Sequence, residues 1–266
     1  MKILYIGDVM GEVGIETVEK VLPDLKKEKA VDVVIAQAEN VSEGKGLTVE
    51  DYERLKRAGV DGFTGGNHTM RREETEQLLE DENAPVTRPA NYPEGTAGKR
   101  YKILQAGEGR VLLISLLGSI VGKDSEKPTA NPLTAVDEIL NMLSNEKLDA
   151  IVVNFHGDFS SEKVVIGHYL DGRVTAVIGD HWHIPTADAR VLPGGTAHIT
   201  DVGMCGSLNS SLGVKYDSII ARWRDGIITR NELETSGPRQ FNAVLVETDS
   251  ETKRAKSIEQ IQKVLN

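Results

Sequence analysis

The sequence predicts an α/β fold in which a central sheet is covered by helices on both faces. Three observations carry this prediction. Short apolar runs alternate with helix-period segments along most of the chain, several of those runs are apolar enough to be buried on both faces, and polar residues gather where the runs end.

The elements follow in order. "KILYIG" is the first strand, and a helix is predicted over residues 14 to 28. "VDVVIAQ" is the next strand, with a helix expected from about Thr48 to Arg57. "DGFTGG" continues the series into the helix "RREETEQLLEDE", where Leu78 and Leu79 supply the apolar stripe and acidic residues the solvated face. "VLLISLLG" reads as a fully buried strand, since only one serine and one glycine interrupt it. "SIVGKDSEKPTANP" mixes turn formers with charge and is expected to be a surface loop before a helix from about Leu133 to Ser144. "DAIVVNFHGD" is a strand entering a loop, "SSEKVVIGHYLDG" a helix with Ser160 as its cap, and "RVTAVIGD" another buried strand. "GGTAHITDVG" supplies a further strand. The tail "FNAVLVETDSETKRAKSIEQI" alternates around a polar turn and suits a hairpin, although "AKSIEQIQKVLN" also has a helical reading.

No repeat, Pro-rich linker or abrupt change of composition divides the 266 residues, so residues 1–266 are expected to form a single domain. With 39% hydrophobic and 27% charged residues the chain is an ordinary globular one, which excludes intrinsic disorder. A net charge of −10 repels nucleic-acid backbones and anionic membranes, so polymeric nucleic acid and membrane are disfavoured as partners. The lone Cys205 allows no internal disulfide and reads as a small packed residue. No signal-peptide core or membrane-length apolar run is present, and a cytoplasmic location is expected.

The chemistry lies at the strand ends. Asp8 follows "YIG", Glu39 and Asn40 follow "IAQA", Asn67 and His68 follow "FTGG", His156 follows "VVNF", and His181 and His183 follow "VIGD". Folds of this class gather ligands at the carboxyl ends of strands. Singly, each residue has an ordinary explanation: a cap for Asp8, left-handed turns for Asn40 and Asn67, a hydrogen-bonded core imidazole for His156. Together, carboxylates, amides and imidazoles on one rim suit divalent Mn, Fe or Zn. They exceed the three or four groups that fill one tetrahedral zinc, so two ions are implied. A carboxylate bridging ions roughly 3.5 to 4 Å apart is suited to phosphate-ester hydrolysis. If the strand runs on through "GDHWH", His181 and His183 share one face and Trp182 points away from the metals.

In that order, "GD", "GNH" and the paired histidines of "GDHWH" resemble the calcineurin-like metallophosphoesterases. "GDVMGEVG", "AENVSEGKGLT", "GGNHTM", "RPANYP", "FHGDFSSEK" and "YLDGRVTAVIGDHWHIPTADARVLPGGTAHITDVGM" are more closely similar to the YmdB family of bacterial metallophosphoesterases, from residue 3 to about residue 214. The resemblance implies a sandwich of central mixed β-sheets flanked by helices. It implies Asp8, Glu39, Asn40 and His183 around one ion, with Glu39 bridging to a second held by Asn67, His156 and His181. His68 is then the general acid. The implied reaction is hydrolysis of a phosphate diester, a cyclic nucleotide such as 2',3'- or 3',5'-cyclic AMP, by a metal-bridging hydroxide. Two Fe or Mn ions are the implied cofactors, with Zn also admitted by the ligand types, and a homo-oligomer is implied as well. Four positions depart from the superfamily or the family pattern, the first of them from the superfamily's alone. Met10 stands where the wider superfamily has a histidine, Asp180 and Trp182 fill "GTHTH", and Met70 ends "NHTM".

Other residues carry a weaker signal. Gly44 and Gly46 in "VSEGKGLT" would let backbone approach a substrate phosphate, unless the loop is simply flexible. Arg88 in "TRPANYP" would meet a phosphate oxygen, unless Pro89 and Pro93 merely fix a turn around it. Asp180 either orients an imidazole or lies exposed, and Asp188 and Asp201 either support the ligands or form surface ion pairs. His168 and His198 are not expected as ligands. Two other functions fit the same residues: a phosphomonoesterase or nucleotidase, and a non-catalytic nucleotide-sensing regulatory protein.

Overall fold

The computed structural model describes residues 1–122 and 128–266, so part of the expected loop "SIVGKDSEKPTANP" lies outside the described residues. In chain order the elements are β1 (Lys2–Ile6), β2 (Asp8–Val9), α1 (Gly11–Lys29), β3 (Val33–Gln37), α2 (Val49–Ala58), β4 (Gly62–Thr64), a single 3₁₀ turn (Thr69–Arg71) and α3 (Glu73–Glu80). They continue with β5 (Lys102–Ala106), β6 (Gly109–Leu117), α4 (Pro132–Met142), β7 (Ala150–His156), α5 (Ser160–Tyr169), β8 (Ala176–Asp180), β9 (Arg190–Val191) and β10 (Ala197–Ile199). β11 (Met204–Ser207), α6 (Tyr216–Asp225), β12 (Arg239–Thr248) and β13 (Ala255–Leu265) complete the chain.

The strands divide between two facing sheets. One runs β2-β11-β12-β1-β3-β4, with β13 also paired to β12, and the other runs β5-β6-β7-β8-β10-β9. Strand alternation explains why two sheets form. In β1, Leu4 and Ile6 pack with Val18, Leu22 and Leu25 of α1, whereas Ile3 and Tyr5 pack with Val111, Val152 and Ile178 of the second sheet. Every residue of β3 is likewise buried. A strand apolar on both faces needs cover on both, and here one cover is helical and the other is the opposing sheet. On the far side, Val136 and Ile139 of α4 and Ile166 of α5 cover Leu112, Ile114 and Val153. The layers are therefore helix, sheet, sheet, helix, as the family resemblance implied and the periodicity alone did not.

Most expected elements are present with shifted ends. α1 starts at Gly11, three residues before its predicted start. α2 is capped by Thr48, whose hydroxyl accepts from the Asp51 N–H at 3.2 Å. Ser160 is not a cap: it is the first helical residue of α5, and Phe159 holds the extended cap position without a side-chain bond. The tail is the hairpin, with Arg239 opposite Leu265 and Glu247 opposite Ser257. Among the described residues no helix is long and apolar enough to cross a membrane.

β1, β3 and β4 run parallel, as do β6, β7 and β8. Their carboxyl ends deliver the polar residues to one side of the sandwich.

Candidate metal centre

Asp8 opens β2 and Glu39 lies in the turn after β3, both strands of the first sheet, and both carboxylates are buried. Asp8 Oδ2 accepts the His181 backbone N–H at 3.2 Å, and Oδ1 lies 3.2 Å from Asn40 Nδ2 and 3.6 Å from His183 Nε2. Glu39 Oε2 accepts the His68 backbone N–H at 2.8 Å. Its Oε1 lies 3.0 Å from Asn40 Nδ2 and 3.3 Å from His156 Nε2. The crowding explains a glycine of "FTGGNH". A Cβ on Gly66 would fall 2.3 Å from Glu39 Oε2 and 2.6 Å from His156 Nε2, so no larger residue fits there.

Two buried imidazoles of the cluster, His156 and His183, are each oriented from behind. His156 Nδ1–H donates to Asp180 Oδ1 at 2.7 Å, which turns Nε2 toward Glu39 and toward Asn67 Oδ1 at 2.9 Å. His183 Nδ1–H donates to the Leu212 carbonyl at 3.2 Å, which turns its Nε2 toward Asp8 and Asn40. A second-ring hydrogen bond of this kind fixes the tautomer that leaves a lone pair for a metal. His181 packs edge-on against His156, with ring centroids 4.4 Å apart, and its Nε2 meets Asp158 Oδ1 at 3.2 Å.

The donor set fits cations. Glu39, His156 and His181 offer ligand atoms within 4.8 Å of one another. Asn40 Nδ2 faces Asp8, Glu39 and His183 acceptors within 3.2 Å, three lone pairs for the two N–H groups of one amide. Burial favours the neutral form of His156, but Glu39 and Asp180 outweigh it and hold the imidazole well above its ordinary pKa. Burial opposes ionisation of Glu39, yet His156 and His68 hold it well below the usual carboxylate range. Burial and the neighbouring His156 push His181 down to about 4. Two buried carboxylates thus favour positive charge beside them while His181 stays neutral, a combination that suits bound metal ions.

Asp180 is buried, which settles its two sequence readings in favour of orienting an imidazole. Beyond His156 it accepts from Tyr5 Oη at 2.9 Å, Gln37 Nε2 at 3.0 Å and Asn154 Nδ2 at 2.6 Å. Tyr5 and Gln37 belong to the other sheet, so this carboxylate ties the sheets together behind the ligands.

A cleft of 1370 Å³ opens beside the cluster, with Glu39, Asn40, His68, His181 and His183 along one wall. His68 is half-buried there, and its Nδ1–H donates to Asn40 Oδ1 at 2.8 Å. Gly44, Lys45, Arg71 and Met10 line the same cleft, and the segment around α6 adds Trp223, Ile227 and Ile228 to its wall. None of the residues of α6 is buried, and Trp223 is 86% exposed.

The structure thus brings together Asp8, Glu39, Asn40, Asn67, His68, His156, His181 and His183. Other expectations need correction. β8 ends at Asp180, so strand alternation does not bring His181 and His183 to one face. Both adopt left-handed backbone, φ 103° and φ 62°, and the turn sends His181 to His156 and His183 to Asp8. Arg88 does not reach the cleft. Its guanidinium is spent on the carbonyls of Ala97, Gly98 and Pro89, at 3.1, 3.2 and 2.9 Å, which is the turn reading. Gly46 also lies off the cleft; its N–H closes the turn back onto the Glu39 carbonyl. Asp188 binds the Thr186 and Thr200 hydroxyls instead of a ligand or a surface cation. His198 packs beneath α5 against Gly167, away from the cluster. Sequence reasoning missed Asp158, Gln37 and Tyr5, which touch ligands or their supports, and the α6 wall. "FHGD" placed Asp158 two residues past a predicted ligand, a signal that was available.

Two facing mixed sheets with such a donor set at their carboxyl ends define a class, the metallophosphoesterases, whose chemistry depends on divalent metal ions. Within the class the chain belongs to the YmdB-like protein family, whose model matches residues 4–261. It is 37% identical to a 2',3'-cyclic-nucleotide 2'-phosphodiesterase of Bacillus subtilis (strain 168), over 98% of this chain and 96% of that one. The crystal structure of a phosphatase from Mycoplasma pneumoniae superposes with a TM-score of 0.91 at 32% identity, covering 99% of this chain and 93% of that chain. A 5'-nucleotidase from Candida albicans shares the fold alone, with a TM-score of 0.56, 11% identity, and 98% and 50% of the two chains covered.

Proposed function

We propose that the protein is a dinuclear metal-dependent phosphodiesterase acting on cyclic nucleotides, with 2',3'- and 3',5'-cyclic AMP as model substrates. The observation that carries this reading is that His156 Nε2 meets Glu39 and His183 Nε2 meets the adjoining Asn40, each ring held by its Nδ1–H. Asp8 and His183 would hold one ion, joined by Asn40 with its amide turned so that Oδ1 takes the place of Nδ2, and Asn67, His156 and His181 the other, with Glu39 between them. Mixed nitrogen and oxygen ligands suit Fe or Mn. When bound, two such ions supply Lewis-acid polarisation of the phosphoryl group and activation of water.

The chain's own groups do the rest. His68 lies at the cleft wall with its ring oriented by Asn40 and its backbone N–H anchored on Glu39. From there it would hand a proton to the departing alkoxide, the step for which a positioned imidazole is suited. Gly44, whose φ of 78° needs no Cβ, and the cations Lys45 and Arg71 line the path of an anionic substrate. The name of the Bacillus subtilis relative supports the diester and the cyclic nucleotide.

The test is reconstitution of chelated protein with Mn or Fe, followed by initial rates on both cyclic nucleotides and on bis-p-nitrophenyl and p-nitrophenyl phosphate. Cleavage of a cyclic nucleotide and of the diester is expected. A strong preference for the monoester would replace this reading with a phosphomonoesterase. Binding of cyclic nucleotide without product would replace it with a sensor.

A further inference from the structure

Lys163, in the first turn of α5, is a wholly buried cation at 1% exposure. Its ammonium donates to the Asp180 carbonyl and, at 2.8 Å, to Asp201 Oδ2, and it lies 4.3 Å from the centroid of the Trp182 ring. Its contacts lead to the turn that carries His181 and His183. Asp201 Oδ2 also accepts the Trp182 backbone N–H at 2.9 Å, and Oδ1 accepts the Gly203 N–H at 2.9 Å. The Trp182 indole N–H donates to the Asp158 carbonyl at 3.0 Å, and Asp158 Oδ1 meets His181 Nε2.

This turn is strained. Residues with a Cβ avoid left-handed backbone, and His181 and His183 adopt it on either side of Trp182. Such a conformation persists only where the surroundings over-determine it. Lys163 supplies that constraint from beneath. A neutral residue there would take the charged donor from the Asp180 carbonyl and leave the buried Asp201 carboxylate with backbone N–H groups but no countercharge.

We propose that Lys163 is the positioning residue of the centre: by gripping residues 180 and 201 and backing the Trp182 ring, it holds the turn that aims His181 and His183 at separate ions. The proposal rests on the two-ion reading above. It also gives Trp182 a part, as the ring face against which the cation is packed.

The test is titration of metal-free full-length protein with Mn²⁺ by calorimetry, comparing the parent with Lys163→Met and with Lys163→Met/Asp201→Asn. The single variant is expected to bind Mn²⁺ about 10- to 100-fold more weakly, the range for loss of a group that orients metal ligands. Activity should return in excess Mn²⁺. The double variant leaves no unpaired buried charge. It should recover part of the stability that the single variant loses but keep the weakened Mn²⁺ binding, and it carries the test if the single variant does not fold. A folded double variant with Mn²⁺ affinity within twofold of the parent would overturn the proposal and leave Lys163 a structural charge pair. A parent that binds fewer than two ions would instead overturn the two-ion reading.

Discussion

His156 and Asp180 are register partners on adjacent parallel strands, and their side chains meet at 2.7 Å from Nδ1 to Oδ1. The pairing is a property of the sheet: one strand ends in an imidazole, its neighbour in the acceptor that orients it. Asp180→Asn keeps the size but forces an NH₂ against either His156 or the donors Tyr5, Gln37 and Asn154. The expected result is metal affinity reduced about 10- to 100-fold with the secondary structure intact. Calorimetric Mn²⁺ titration beside a circular dichroism spectrum checks it, and unchanged affinity would remove Asp180 from the mechanism.

His68→Ala leaves the backbone N–H that Glu39 accepts in place. Turnover should fall about 10²- to 10⁴-fold, the usual worth of a positioned acid. Elemental analysis should still find the parent's metal content. Loss of metal in proportion to activity would make His68 a support for the ions and not the proton donor.

Removing metal should loosen the fold around Asp8 and Glu39, two buried carboxylates brought close together. At about 100 times its dissociation constant a ligand stabilises by about 2.7 kcal/mol. For a chain of this size that is a shift of about 5 to 10 °C in thermal midpoint. Scanning calorimetry with Mn²⁺ and with chelator measures it, and coincident transitions would contradict the site.

Arg88→Met tests the turn assignment. Three carbonyls lose a charged donor, so stability should drop by about 1–3 kcal/mol. Because the side chain lies off the cleft, kcat/KM at a temperature where the variant is folded should match the parent. A selective rise in KM for phosphate diesters would restore Arg88 to the substrate site.

Trp223 stands exposed in the cleft that the candidate metal ligands also line. If a nucleobase stacks there, Trp223→Ala should raise KM for a cyclic nucleotide by about 5- to 100-fold, from a stacking energy of about 1–3 kcal/mol, with kcat little changed. Steady-state rates on 2',3'-cyclic AMP separate the two constants.

Much of the site was legible because its donors sit immediately after apolar runs, and a run of β-period residues has an identifiable end. Asp8, Glu39, Asn67 and His156 could be placed on one rim without coordinates. Arg88 could not be placed. Its neighbours Pro89 and Pro93 announced a turn, but whether the guanidinium turned inward to Ala97 and Gly98 or outward to a ligand depends on where residues nine and ten positions later fold back. The α6 wall was passed over although Tyr216, Ile219, Ile220 and Trp223 recur at helical spacing; that this apolar stripe borders the cleft follows only from how the segment folds back.

By itself the sequence determined the local order: which runs become strands, where each stops, and which chemically apt side chain follows. Everything that depends on two distant segments meeting was decided by tertiary structure. Tyr5 reaches Asp180 only because two sheets face each other. Lys163 grips Asp201 only because α5 crosses behind β8. His181 and His183 diverge because buried partners hold a left-handed turn that their own backbone disfavours. Periodicity reports the face a residue presents, while orientation at a site is set by the long-range contacts that period cannot encode.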